Sequence, residues 1–193
     1  LPIISVKNIN ENTVRDFIIK LEPDLVVVSG TQLLRLTLLS LSGAVIKKGI
    51  INMHTGLSPY IRGGSASFWA LYVGKPQYIG VTIHYIDKDI DKGDIILSGR
   101  PDTIEENDTD FTLDAKVRSL GIGLYVKAIQ QIEKGTGKRV QQWHGGQLFA
   151  IKTGHKKTLE MIYELRKKLK KENILKKYLG NKQRYDQGVI TVD

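Results

Sequence analysis

"INMHTGLSP" (residues 51–59) decides how this chain is read. Ile50, Ile51 and Met53 mark a buried strand, yet Asn52 and His54 interrupt it with polar groups two residues apart. Side chains two apart leave a strand on the same side, so the amide and the imidazole are aimed together. Gly56, Ser58 and Pro59 then turn the chain away.

Working outward, Asp24 to Ser29 (DLVVVS) is a short continuous apolar run, the pattern of a parallel strand buried on both faces. Val14, Phe17 and Ile18 give residues 11–20 helical spacing, with Asn10 or Asn12 as cap and Glu22-Pro23 as breaker. Residues 32–39 read as a short helix or a turn plus helix. Residues 65–73 read as a helix capped by Ser65. Tyr78 to Ile86 and Asp94 to Ser98 read as two strands joined by an Asp- and Gly-rich connection. A long helix follows over 110–134, its apolar face set by Leu113, Val117, Leu120, Leu124, Ile129 and Ile132. Trp143 to Ile151 reads as a last strand, and 157–179 as one amphipathic helix with Leu159, Ile162, Leu165 and Leu169 inward. The final residues are polar and carry no predicted structure.

Strands alternating with helices predict an α/β fold, a mainly parallel sheet with helices on both faces. Ligands of such sheets bind beyond the carboxyl ends of the strands, where Asn52 and His54 sit. The chain has 193 residues and no cysteine, which excludes disulfides, thiolate catalysis and cysteine-based zinc sites. Its four histidines are too scattered in sequence to predict a metal site. No run reaches the roughly 18 apolar residues of a membrane span. No signal-peptide pattern opens the chain, and the expected location is the cytoplasm. The net charge is +9, and residues 156–177 hold nine Lys or Arg against three Glu. The positive charge is thus mostly a C-terminal feature, and nucleic acid is not expected among the partners. The expected division is a catalytic part over 1–155 and a basic helix and tail over 156–193.

Three separated elements carry a resemblance. Asn52-Met53-His54 is followed by Leu57-Ser58-Pro59 with Arg62-Gly63, and then, after a strand, by Asp91-Lys92-Gly93. This order and spacing, over roughly residues 22–100, resembles the folate-dependent formyltransferases, which include glycinamide ribonucleotide, methionyl-tRNA and amino-sugar formyltransferases. The resemblance implies a Rossmann-like formyltransferase fold and 10-formyltetrahydrofolate as formyl donor. It implies Asn52 and His54 as donors to an oxyanion and Asp91 as the proton-handling carboxylate. It places Gly30, Thr31, Gln32, Leu33 and Leu34 on one side of the pterin and Asp87, Lys88, Asp89 and Ile90 on the other. Arg62 reads two ways, as a bidentate ligand of a substrate phosphate or carboxylate or as an anchor for its own loop. His84 reads as structural. Much of the family has Asn-x-His-Pro-Ser-Leu-Leu-Pro where this chain has Asn-Met-His-Thr-Gly-Leu-Ser-Pro. The family's opening strand and glycine-bearing loop find no counterpart in the sequence.

The expected reaction is formyl transfer to a primary amine of a small substrate, with a nucleotide-linked amino sugar as first candidate. Glycinamide ribonucleotide, methionyl-tRNA and water (a formyltetrahydrofolate hydrolase) are the alternatives within the same chemistry. A basic module binding nucleic acid or an acidic partner is the alternative of another class. The oligomeric state stays open, with a homodimer as one option.

Overall fold

The computed structural model describes residues 2–150 and 154–193. Four strands form the main sheet in the order β1-β2-β4-β5: β1 (Val26–Val28), β2 (Ile50–His54), β4 (Val81–Tyr85) and β5 (Ile95–Gly99). A two-stranded sheet pairs β3 (Ile61–Gly63) with β6 (Gln147–Phe149). The helices are α1 (Asn12–Leu21), α2 (Leu36–Leu39), α3 (Ala66–Tyr72), α4 (Asp110–Glu133), α5 (Leu159–Lys171), α6 (Ile174–Gly180) and α7 (Lys182–Asp186).

The α/β architecture agrees with the sequence, but the sheet is mixed rather than mainly parallel. Only β1–β2 runs parallel in the main sheet, while β2–β4 and β4–β5 are antiparallel. For β4–β5 the cause is the short connection after β4, which returns the chain beside itself; β2 and β4 are antiparallel although β3 and α3 lie between them. The second correction concerns β1. It has β2 as its single strand neighbour in the sheet order, and Val27 is 48% exposed. The DLVVVS run is therefore an edge strand, not a strand buried on both faces.

Alternation along β2 divides the core. Ile51 joins a cluster with Val81, Ile83, Leu113 and Val117, whereas Ile50 joins a second cluster with Val14, Leu38, Leu41 and Ile46. Neighbouring residues of a strand point to opposite faces, so α4 covers one face and α1 with α2 the other. Asn52 and His54 share the face of Ile50. Tyr125 of α4 lies 2.7 Å from the Val28 carbonyl and 2.9 Å from that of Ile51, so its hydroxyl ties β1 to β2.

Several local expectations shift. Glu11, not Asn10 or Asn12, stands at the N-cap of α1, and Glu22 ends the helix in left-handed backbone with φ 45°. Asn10 instead braces the 33–35 loop, donating to the Leu33 carbonyl and accepting from the Arg35 N–H. Ser65 precedes α3 with φ 56° and makes no side-chain cap. Thr109 caps α4 in a reciprocal pair with Thr112. The expected 157–179 helix breaks at Asn173 (φ 50°) into α5 and α6, since Asn tolerates the left-handed region. Leu159, expected inward, is 85% exposed. Of the expected 143–151 strand, 147–149 pairs, while Ile151 lies outside the described residues.

The 157–179 segment packs by its apolar side as expected, and the final residues, expected to carry no structure, form α7 and dock as well. Leu165 and Leu175 enter the same cluster as Val81 and Leu113, and Tyr178 is fully buried. Tyr178 bonds Arg100 and Asp186. Beyond α7 the backbone of Val192 exchanges bonds with Ser98, one at 2.7 Å from the Ser98 N–H and one at 2.8 Å to its hydroxyl. No helix among the described residues is long and apolar enough to cross a membrane.

Candidate active site

The register of the β2–β4 pair sets the site. Asn52 lies opposite His84 and His54 opposite Thr82. Directly opposed residues project to the same face, so β4 adds a second imidazole beside Asn52. Asp91 reaches the pair from the connection between β4 and β5, held in left-handed backbone with φ 49°. Its Oδ2 accepts a 2.8 Å bond from the Gly63 N–H and lies 3.4 Å from His54 Nδ1. Its Oδ1 lies 3.4 Å from His84 Nε2 and 3.5 Å from Asn52 Nδ2. The structure thus brings together Asn52, His54 and Asp91, and adds His84, which the sequence reading had set aside as structural.

Proton positions follow from the partners. His54 Nε2 lies 3.0 Å from the Ile61 carbonyl, which only accepts, so Nε2 carries a proton. One nitrogen of His54 is thereby committed to the backbone, and Nδ1 alone remains for Asp91 or a substrate. His84 Nδ1 lies 2.7 Å from the Tyr85 carbonyl and also carries a proton. Its Nε2, 3.2 Å from Asn52 Nδ2, accepts from the amide when the ring is neutral. When protonated it donates to Asp91. Burial alone would raise the Asp91 pKa; the His54 charge, the His84 bond and charge and the Gly63 N–H outweigh it and hold the carboxyl well below the usual carboxylate range.

The Thr-Gly departure after His54 has a packing reason. A Cβ on Gly56 would lie 2.3 Å from His54 Nε2 and 2.7 Å from the Ala66 Cβ. The His54 ring therefore rests on bare backbone. Thr82 closes the same loop, donating to the Gly56 carbonyl at 2.8 Å and accepting from the Ser58 N–H at 2.9 Å.

The proposed pterin loops flank this end of the sheet. Val28 pairs with Asn52 in parallel, so residues 30–34 leave β1 at the end where Asn52 sits. Gly30 has φ 64°, and Gln32 accepts from the Ile9 N–H. Leu33 is 61% exposed, and among the described residues the N–H groups of 31–34 have no protein acceptor. Exposed apolar surface beside free backbone donors fits a flat heterocycle. On the other side Asp87 accepts from the Asp89 N–H, Lys92 pairs with Asp89, and Lys88 is exposed. Arg62 donates to the Ile90 carbonyl at 3.3 Å, and its Nε is buried without a partner. The anchoring reading of Arg62 thus has a bond behind it. Among the described residues no cluster of His, Asp or Glu has the geometry to hold a metal ion.

The Formyl transferase family matches residues 4–129. This chain belongs to that family. It is 32% identical over 145 residues to a methionyl-tRNA formyltransferase of Desulforamulus reducens, covering 75% of this chain and 44% of that one. Its fold matches a 4-N formyltransferase from Francisella tularensis with a TM-score of 0.60 at 28% identity, covering 71% of this chain and 53% of that one. It also matches an N-formyltransferase from Helicobacter canadensis, solved with folinic acid and dTDP-3-aminofucose, with a TM-score of 0.51 at 29% identity over 64% and 49% of the two chains. The chain therefore spans less than half of the first relative's length.

Proposed function

We propose that this formyltransferase moves a formyl group from 10-formyltetrahydrofolate to a primary amine on a nucleotide-linked amino sugar. The observation that carries the reading is one partly buried carboxylate, Asp91, touching two imidazoles and an amide at the carboxyl end of β2. Residues 30–34 and 87–90 would hold the folate from its two sides.

In this reading Asp91 takes the proton the amine must lose as its nitrogen bonds to the formyl carbon. The Asn52 amide has two hydrogens; the 3.2 Å contact to His84 holds one, and the loose 3.5 Å contact to Asp91 leaves the other for the developing oxyanion. His54 Nδ1 donates to the same charge when the ring carries both protons. As the carbon–nitrogen bond to the folate breaks, the leaving nitrogen takes up a proton delivered through Asp91 and the imidazoles, so the balance closes without a further reagent. Arg62 is assigned to an anionic group of the acceptor, which its single bond to Ile90 leaves room for. Within the chain, 1–155 carries the chemistry, and 156–193 braces it through Leu165 and Leu175.

The Helicobacter neighbour, solved with dTDP-3-aminofucose, supports an amino-sugar acceptor. The Desulforamulus relative supports methionyl-tRNA as the second reading, since α5 keeps Arg166, Lys167, Lys170 and Lys171 on the surface. Two other basic groups are used internally: Lys157 pairs with Asp110, and Lys168 lies over the Tyr72 ring. The deciding experiment offers the purified protein 10-formyltetrahydrofolate with dTDP- or UDP-linked amino sugars, glycinamide ribonucleotide, methionyl-tRNA or water. Turnover fastest with an amino sugar is the expected result. Turnover confined to tRNA replaces the first reading with the second, and turnover with water alone marks a hydrolase.

A further inference from the structure

Asp91 is a non-glycine residue in left-handed backbone, in a connection whose tip (87–89) is exposed. Such a conformation persists only where its surroundings enforce it. The enforcing group lies about fifty residues downstream. Gln142 Nε2 is 2.9 Å from the Asp91 carbonyl and 3.0 Å from the Gly93 carbonyl. Two carbonyls accept only, so the NH2 end of the amide must face them, one hydrogen to each. The Gln142 Oε1 is buried and has no partner, so the side chain is fixed by these two donated bonds alone.

The segment that carries Gln142 is itself held. Val140 and Ile95 exchange N–H···O bonds at 2.8 and 2.9 Å, and the Arg139 guanidinium lies 3.7 Å over the Tyr85 ring. Further along, β6 pairs with β3 and places Gly63, whose N–H bonds the Asp91 carboxylate. At the neck of the connection a Cβ on Gly93 would lie 2.0 Å from the Tyr85 carbonyl oxygen, so only glycine closes the turn there.

We infer that Gln142 is a positioning residue for formyl transfer: its amide clips the carbonyls of Asp91 and Gly93 and so fixes where the Asp91 carboxylate stands between His54 and His84. The inference rests on the assignment of Asp91 as the proton-handling group. It touches neither donor nor acceptor, so kcat should change by a larger factor than the KM for folate, which moves only through Asp89 and Ile90 of the same turn.

Two variants test it. Gln142→Glu keeps the shape and turns a donor into an acceptor; Gln142→Met keeps the length and removes the donor. Each is expected to lower kcat by roughly tenfold or more through loss of two bonds, to change folate KM by a smaller factor than kcat, and to speed amide exchange in residues 89–94. In an Asp91→Asn background the same substitutions should cost nothing further, since coupled groups are not additive. The inference is overturned if loop exchange is unchanged in both variants, if kcat is unchanged while exchange rises, or if the losses add fully to that of Asp91→Asn. Should the wild-type protein transfer no formyl group to any acceptor, the functional reading fails by itself, and the exchange measurement still decides whether Gln142 holds the turn.

Discussion

The two loops that deliver the site's side chains hold them by opposite means. After β2, residues 56–60 are buried; His54 is fixed by packing on Gly56 and by a bond to the Ile61 carbonyl. After β4, residues 87–89 are exposed; Asp91 is fixed by a handful of polar bonds to Gly63, Gln142 and the imidazoles. Packing gives an immobile ring with one nitrogen spent. Polar clips give a carboxylate that is held, yet whose partners can exchange protons with it. The group that must not move is set in the core, and the group that must handle protons is set in a hydrogen-bonded turn.

The comparison breaks most sharply at Asp91. Asp91→Asn keeps the shape and removes the base, and formyl transfer should fall by roughly 10²–10⁴-fold with far-UV circular dichroism unchanged; retention of half the activity would remove Asp91 from the chemistry. Gly56→Ala attacks the packed loop. Its methyl must displace either the His54 ring or Ala66, so stability should drop by about 1–3 kcal/mol in urea melts, with activity falling alongside. An unperturbed melt would mean the loop is softer than its burial implies. His84→Leu removes a ring bonded to the Tyr85 carbonyl and leaves the Asn52 amide with one partner fewer. A smaller cost, about 1 kcal/mol in the same melts, is expected for that bond, with a loss of activity well below that of Asp91→Asn.

The smallest effect separates the loops by pH. The Asp91 carboxyl titrates lower in the folded protein than in the unfolded chain. It therefore contributes stability that is present above the unfolded carboxylate value of about 4, and that is lost as pH falls toward the folded value. The stability gap between wild type and Asp91→Asn should narrow on titration from pH 5 to pH 3 (about the range set by that value), whereas the gap for Gly56→Ala should stay constant. A pH-independent gap for Asp91→Asn would show that the imidazoles do not favour its charged form.

Much of this arrangement is legible in the residues. The period-two placement of Asn52 and His54 needs only strand geometry, and Asp91-Lys92-Gly93 stands out as a turn. The strand "YIGVTIHYI" had a further signal: Thr82 and His84 are also polar at period two, among Val81, Ile83 and Tyr85. Two strands each carrying a polar pair on one face belong opposite one another, and that reading would have brought His84 into the site. What the chain does not spell out locally is pairing direction, which a loop's path decides, and long-range clips. Gln142 sits in a stretch with no periodicity, and nothing in "RVQQWHGG" distinguishes it from Gln141 until the fold places it against the Asp91 turn. The edge character of β1 is equally silent, since an apolar run reads alike in the middle of a sheet and at its rim.

The bonds between Val192 and Ser98 mean that the stretch around Val192 acts as trim on a raw border. β5 ends the strand order; Val140 covers its outer side at Ile95, and at Ser98 that side would otherwise offer its amide to any neighbouring chain. Deleting residues 190–193 would uncover that border, and the first sign would be sticky, concentration-dependent behaviour rather than a lost reaction.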